Sequence, residues 1–373
     1  MKVLMMVSRD AQNPSVGGGE SVFIHWAEEL VRAGHQVDYL CSTFPGAPRE
    51  TQHEGVRVLR IGSEYSLGFK SYFEYRRRFR GRVDIVVEDM LGGAKTPFLV
   101  PLYAKEPVVG VWFQDHLPLF AIQFPRVLYP LLSFLERAVV RAHQSCFVLT
   151  CSEESKESYV EKGGVAPNVR IFEMGLDARF LELDAPVPAR ARDSRVLFLG
   201  KLRRYKCPDH AIQAFARIAS QVPSAQMVVA GRMDDEGYFR ELGGLIRHLK
   251  LEGRVSFEIG ITEERKLELL RTSRALISPA PVEGFGISIL EGNAAGLPVV
   301  GTDGVPAEAL QEGVNGFRIR FGDIDAMADR TRRLLEDDEL FDRIAQSAYS
   351  FAHGRTWSKA TQPLLALMDR PGH

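Results

Sequence analysis

Two glutamates, Glu283 and Glu291, stand with seven residues between them in the string Glu283-Gly-Phe-Gly-Ile-Ser-Ile-Leu-Glu291. Carboxylates accept hydrogen bonds from hydroxyl groups, so the pair suits a ligand rich in hydroxyls, such as a sugar or a ribose. Gly284 and Gly286 let the main chain turn sharply between them. Ser288 to Ala295 then reads as a helix stopped by Gly296 and Pro298. A helix N-terminus presents unpaired N–H groups and the positive end of the helix dipole, a setting that favours phosphate. Gly284, Phe285, Gly286 and Ile287 are therefore read as a diphosphate cradle, Glu291 as the acceptor for ribose hydroxyls and Glu283 as the acceptor for a second sugar. The preceding run Arg274 to Ser278 reads as a buried strand, so the loop leaves a strand's carboxyl end, where open α/β sheets bind ligands.

Cations must accompany such a site, because breaking a bond to a diphosphate leaves negative charge on the departing oxygen. Gly200-Lys201-Leu-Arg203-Arg204-Tyr-Lys206 supplies them directly after a strand-like run, Arg195 to Leu199. Two further loops follow strands in the first half. Gly17-Gly18-Gly19-Glu20 separates a strand from a helix, and Gln114-Asp115-His116 follows the run Val108 to Trp112.

Taken together with Asn293 to Val300, the Glu283–Glu291 string resembles the signature of glycosyltransferase family 4, retaining enzymes of the GT-B fold. The resemblance extends over essentially the whole chain and is strongest at Gly200–Lys206 and Glu283–Val300. It implies an α/β protein with two Rossmann-like domains whose parallel sheets face each other across a cleft. The implied activity is transfer of a hexose from a nucleoside-diphosphate sugar to a hydroxyl of a glycan or a lipid-linked acceptor, with no cofactor and no obligatory metal. Lys206 takes the family's lysine position. Lys201 stands where the family usually has arginine, keeping the charge but losing the planar fork; either Lys201 serves as a point charge, or Arg203 or Arg204 reaches in. Gly18 and Gly19 match the N-terminal glycine loop beside the phosphates. His116 matches a histidine that contacts the transferred sugar, with Asp115 or Gln114 as the alternative register. Base recognition is implied near Gly231 and Ile259, through main-chain groups that leave UDP, GDP and ADP undistinguished. No nucleophilic carboxylate is evident, in keeping with attack from the leaving-group face.

The elements that must position these residues are visible as alternating patterns. The chain has 373 residues, enough for two domains with separate cores. Strand-like runs at Lys2–Val7, Gln36–Leu40, Val83–Val87, Val108–Trp112 and Phe147–Thr150 alternate with helical patterns, the first from Glu20 to Ala33. A second alternation has strands at Val196–Leu199, Gln226–Ala230, Val255–Ile259, Ala275–Ser278, Pro298–Gly301 and Phe317–Ile319. Between them, Asp184 to Asp193 carries two prolines and small residues and reads as a linker. The expected domains are 1–184 and 185–355, with a final helix in 356–373 returning to the first domain by the family resemblance.

A net charge of −1 gives no global field for nucleic acid. Four cysteines without C-x-x-C spacing are expected to be reduced, which fits a cytoplasmic setting. The apolar start, cut off by Arg9 and Asp10, is too short for a targeting core and is expected to be a strand. Asp323-Ile-Asp325 reads as a helix start whose acids complement the dipole rather than as a metal motif. One local cluster departs from the balanced charge: between Phe69 and Arg82, aromatic residues interleave with Lys70, Arg76, Arg77, Arg78 and Arg80. It reads either as a basic surface for an anionic membrane and a lipid-linked acceptor, or as buried aromatics under a solvated charged face. The rival readings of the chain are a sugar-nucleotide epimerase and a non-catalytic nucleotide-sugar-binding protein. A dinucleotide oxidoreductase fits less well, since no G-x-G-x-x-G follows the first strand of either half.

Overall fold

The computed structural model describes residues 1–91, 96–118, 120 and 124–369. They divide into two compact units, Met1–Gly175 with Arg355–His373, and Leu176–Gly354. Both are parallel α/β sheets of Rossmann-like topology.

In the first unit, β1 (Lys2–Met6), β2 (Gln36–Cys41), β3 (Glu50–His53), β4 (Val56–Arg60), β5 (Ile85–Asp89), β6 (Val108–Val111), β7 (Phe147–Thr150) and β8 (Val169–Ile171) form one sheet. Their order is β3-β4-β2-β1-β5-β6-β7-β8, parallel except where β3 pairs antiparallel with β4. The strand order reverses direction between β1 and β5. Right-handed crossovers then place helix Gly18–Arg32 on one face and the helices following β4, β6 and β7 on the other. Side chains agree. Leu4 and Met6 pack with Leu67, Tyr75 and Phe79, and Val148 packs with Val139 and Val140. Met6, Glu88, Gly110 and Val148 lie opposite one another in register, forming a single row on that face. On the opposite face, Trp357 of the final helix Trp357–Met368 stacks on His25 of helix Gly18–Arg32, with ring centroids 4.3 Å apart. The β3–β4 hairpin was not legible among its charged residues. Its two-residue turn, Glu54 (φ +47°) and Gly55 (φ +79°), is left-handed throughout, as a hairpin of matching twist requires.

In the second unit, β9 (Arg195–Leu199), β10 (Gln226–Gly231), β11 (Val255–Ile259), β12 (Ala275–Ser278), β13 (Val299–Thr302) and β14 (Gly316–Ile319) are all parallel, in the order β11-β10-β9-β12-β13-β14. The chain steps outward from β9 to β11 and then crosses back to β12, so the switch point lies between β9 and β12. Near-continuous apolar strands such as β9, β12 and β13 belong between two helical layers.

The division between the units falls at Gly175 and Leu176, ahead of the expected 184, and the expected linker is part of the second unit. Phe180 is buried with Lys266 over its ring at 5.4 Å, and the Tyr349 hydroxyl donates to the Leu183 carbonyl at 2.8 Å. Within the supposed linker, the buried Arg192 guanidinium donates to the carbonyls of Val187, Leu270, Ser273, Ala295 and Gly296. Prolines and small residues mark an irregular path, but one arginine with five carbonyl partners fixes it to a core.

A fully buried ion pair sits under the first sheet. Glu88 accepts from His143 Nε2 at 2.8 Å and from the Val100 N–H at 3.1 Å, while His143 Nδ1 lies 2.8 Å from the Val139 carbonyl. Burial disfavours the imidazolium, but the Glu88 carboxylate outweighs it and holds His143 above its ordinary value of 6.5. Neighbouring Cys146 is pushed up to about 11 by burial and by Glu88, so it stays neutral through the physiological range. A raised histidine stabilises the fold fully below its unfolded value and progressively less as pH climbs through its folded one. The melting temperature is therefore expected to fall as pH is raised from about 6 to about 9, and His143→Gln is expected to flatten that slope. An identical slope in the variant would assign the pH dependence to other groups.

Candidate active site

In the second unit, the loop after β9 and the loop after β12 emerge side by side at the carboxyl edge, on either side of the switch point. The structure joins them by an ion pair: the Lys206 ammonium donates to the Glu283 carboxylate. Lys206 ends a short turn, Arg204–Lys206, and Cys207 follows in the left-handed region (φ +50°), which brings the chain round into helix Pro208–Gln221. Glu283 is placed by its own N–H, which donates to the Gly304 carbonyl at 2.9 Å. Burial works against the charge on Lys206, but Glu283 more than compensates and the ammonium is held above its ordinary range.

Gly286 (φ +89°) caps helix Ile287–Ala294, and a side chain there would meet Ile289 at 2.7 Å as well as an unfavourable backbone. Phe285 is buried beneath the loop, with Gly284 before it. One turn into the helix lies Glu291, 8% exposed. Its carboxylate accepts from Lys266 Nζ at 2.7 Å, and Lys266 also reaches Glu263 at 2.7 Å. Burial raises the Glu291 carboxyl, with Glu263 and Asp177 adding to it, and Lys266 opposes them. Each of the two glutamates thus has its own lysine. Sequence reasoning found Lys206 but missed Lys266, which sits in the charged run Glu263-Glu-Arg-Lys266 and looks like an ordinary solvated helix face.

The other cations converge on an acid that was also missed. Asp234 accepts from Arg203 Nε at 3.0 Å and from Arg232 Nε at 2.7 Å, and the Lys201 charge adds to the pull that keeps Asp234 below its ordinary range against burial. Arg204 is directed elsewhere: it pairs with Glu241 and lies over the Tyr238 ring at 4.7 Å. Arg203 is thus tied to Asp234 and Arg204 to Glu241, with the Lys201 charge acting on Asp234 as well. Gly231 (φ +147°) is pressed against the loop after β9, where a Cβ would fall 1.8 Å from the Gly200 carbonyl oxygen. Its own carbonyl accepts from the Gly260 N–H at 2.9 Å, which brings the exposed Ile259 beside it. Asp323 caps helix Ile324–Glu336 by accepting from the Ala326 N–H at 2.9 Å, and Asp325 pairs with Arg217 at 2.7 Å.

In the first unit, Gly18 and Gly19 open the helix after β1, and Gly19 packs so closely on the Phe113 ring that a Cβ would approach it to 3.2 Å. The turn is not an empty anion site. Glu20 accepts from the Gly17 N–H at 3.0 Å, from the Ser8 hydroxyl at 2.7 Å and from Arg9 at 2.7 Å. His116 follows Phe113 in the loop after β6. Its main-chain N–H donates to Glu136 Oε1 at 3.0 Å, and its Nδ1 lies 3.5 Å from the same oxygen. Lys162 bridges Asp115 at 2.9 Å and Glu136 at 3.4 Å. Asp115 also accepts from the Leu117 N–H, so its carboxylate is committed within the loop. Glu136 was not foreseen. The one signal was an acid on helix Tyr129–Ala142 in step with the buried Val139 and Val140.

On the aromatic and basic segment, Tyr75 and Phe79 are core, as the buried-aromatic reading expects, while Phe69 and Phe73 are exposed. Arg77 and Arg78 are tied to Glu74, Arg78 also reaches Glu50, and Arg76 donates to the Tyr72 hydroxyl at 2.8 Å. Lys70 and Arg80 are exposed.

Comparison with known proteins gives the geometry a lineage. Residues 16–180 match the model described as Glycosyltransferase Family 4, and residues 181–351 match Glycosyl transferases group 1. The chain is 32% identical over 155 residues to N-acetyl-alpha-D-glucosaminyl L-malate synthase of Bacillus anthracis, covering 41% of this chain and 39% of that protein. It is 25% identical to alpha-D-kanosaminyltransferase of Streptomyces kanamyceticus over 85% of each chain. The matches to the malate synthase and to D-inositol 3-phosphate glycosyltransferase of Streptomyces griseus span 39% and 36% of those proteins' lengths. Among solved structures, the fold is shared with Anabaena HepE in complex with UDP and glucose (TM-score 0.75, 21% identity, 99% of each chain). It is also shared with sucrose-phosphate synthase of Thermosynechococcus elongatus (TM-score 0.78, 20% identity, 98% of each chain). With both halves matched in succession and the GT-B architecture in common, the chain belongs to glycosyltransferase family 4.

Proposed function

We propose that the protein is a retaining glycosyltransferase that moves a hexose from a nucleoside-diphosphate sugar to a hydroxyl acceptor, a glycan or a lipid-linked sugar. The observation that supports this most is the Lys206–Glu283 pair bridging the switch point, with the Lys266–Glu291 pair at the first turn of the helix that follows. A diphosphate arriving at the helix N-terminus competes for Lys206, which releases Glu283 to accept hydroxyls of the hexose. Glu291, kept oriented by Lys266, accepts the ribose hydroxyls.

In the transfer, the bond from the anomeric carbon to the phosphate oxygen breaks and the acceptor oxygen bonds to that carbon from the same face. The acceptor's proton passes to the departing phosphate, so no separate general base is required. Lys206 stabilises charge on the leaving phosphate, and we assign Lys201 and Arg203 to the same charge rather than giving it to a metal. We assign Gly231 and Ile259 to the base by the family resemblance, which likewise implies the phosphates for Gly18 and Gly19 and a hydroxyl of the transferred sugar for His116.

The test is thermal unfolding with UDP, GDP, ADP and their sugar conjugates, followed by assay of nucleotide release with candidate acceptors. A ligand present at 100 times its Kd adds about 2.7 kcal/mol of stability. One base series is expected to raise the melting temperature. If none does, and no conjugate is consumed, the transferase reading fails.

A further inference from the structure

Helix Tyr129–Ala142 and the turn before it leave a broad apolar stripe uncovered. Val127 is 81% exposed, Leu131 55%, Phe134 62% and Leu135 48%. These positions recur at intervals of three and four residues, so they share one side of the helix. Phe124 and Leu128 extend the stripe. The other side carries the buried Glu136, Val139 and Val140 against the sheet. Isolated exposed apolar residues are ordinary, but a contiguous stripe of this kind marks a contact surface.

Charge identifies the partner. Arg126, Arg137 and Arg141 are exposed along the same segment, and the only acid on the helix, Glu136, is buried. A second copy of this chain meeting the stripe about a two-fold axis would set these arginines against their own counterparts. Anionic headgroups give every arginine a counter-ion while the acyl boundary covers the apolar residues. The crossover handedness adds a second patch on the same side of the sheet, the exposed Phe69 (71%) and Phe73 (54%) of helix Leu67–Glu74 with Arg76 following them. Among the described residues no helix is long and apolar enough to cross a membrane, so the contact is one of lying on the surface.

We propose that this face of the first unit, centred on helix Tyr129–Ala142, docks on an anionic lipid bilayer. The docking is independent of the transfer reading and is measured without turnover.

Co-sedimentation of the full chain with vesicles of phosphatidylglycerol and phosphatidylcholine, against phosphatidylcholine alone, tests it. The wild type is expected to bind the anionic vesicles and to be released by high salt. Leu131→Ser with Phe134→Ser is expected to weaken binding about tenfold or more. Arg137→Gln with Arg141→Gln is expected to weaken it roughly fivefold per charge and to remove the salt dependence in part. Should the apolar double variant not fold, the arginine pair decides. Failure of the wild type to bind anionic vesicles overturns the proposal, as does wild-type binding by the folded double variant. So does sedimentation showing a dimer that the double variant converts to monomer with no vesicle affinity in either form, which would assign the face to a second copy.

Discussion

Lys206→Ala is expected to lower turnover by two or more orders of magnitude, about 3 kcal/mol of lost stabilisation of developing charge. The loss should fall on kcat more than on KM, because charge on the leaving phosphate grows toward the transition state, and the proposal leaves Lys201 and Arg203 to the donor's ground-state diphosphate. The structure sharpens the expectation, since the same substitution deprives Glu283 of the cation that holds it in the free protein. Lys206→Arg separates the two roles. If the charge alone matters, arginine restores much of the rate; if the position of Glu283 matters, the longer planar group restores less. Steady-state kinetics of the three proteins on one donor settles it, and near-normal turnover in the alanine variant would remove Lys206 from the mechanism.

Glu291→Ala is expected to weaken donor binding by about 1.5 to 3 kcal/mol, the range for hydrogen bonds to a charged group, which is roughly 10- to 150-fold in Kd. The variant leaves Lys266 beside Glu263, still paired, so the cost is read in the ligand more than in the fold. Titration calorimetry with a nucleotide and its 2′-deoxy counterpart makes the assignment specific. The wild type should prefer the ribonucleotide, and the alanine variant should show that preference reduced or abolished, which is the coupling a double-mutant cycle measures. An unchanged ribose preference would move Glu291 out of the donor site and leave it as a buried ion pair with Lys266.

The second unit was largely legible because its strands are near-continuous apolar runs and its site residues cluster in two short strings, Gly200–Lys206 and Glu283–Glu291. Strings of that kind carry their own geometry: a glycine that must turn, a helix that must begin, an acid one turn on. What remained hidden were partners from elsewhere in the chain. Lys266 and Asp234 acquire meaning only when parallel pairing brings β9, β10 and β12 together and the loops at their ends meet. The linker reading failed for a related reason. Prolines around Arg192 announce irregular backbone, yet whether an irregular segment is loose or fixed depends on the carbonyls it finds, and all of Arg192's but that of Val187 come from residues about 80 to 100 positions later. The first unit was read less completely, because β3 and β4 are rich in polar and charged residues and β8 has only three residues.

The attachment of His116 to Glu136 runs in the first place through the main-chain N–H, a group that every residue except proline possesses. The loop thus has one anchor that does not depend on which side chain position 116 carries, and the imidazole Nδ1, 3.5 Å from the same oxygen, adds to it. Position 116 is a socket: the helix fixes where the socket lies, and the imidazole is what is plugged into it. A substitution at position 116 that keeps the main-chain N–H leaves this anchor intact, so the side chain there can change without the loop losing its hold on the helix.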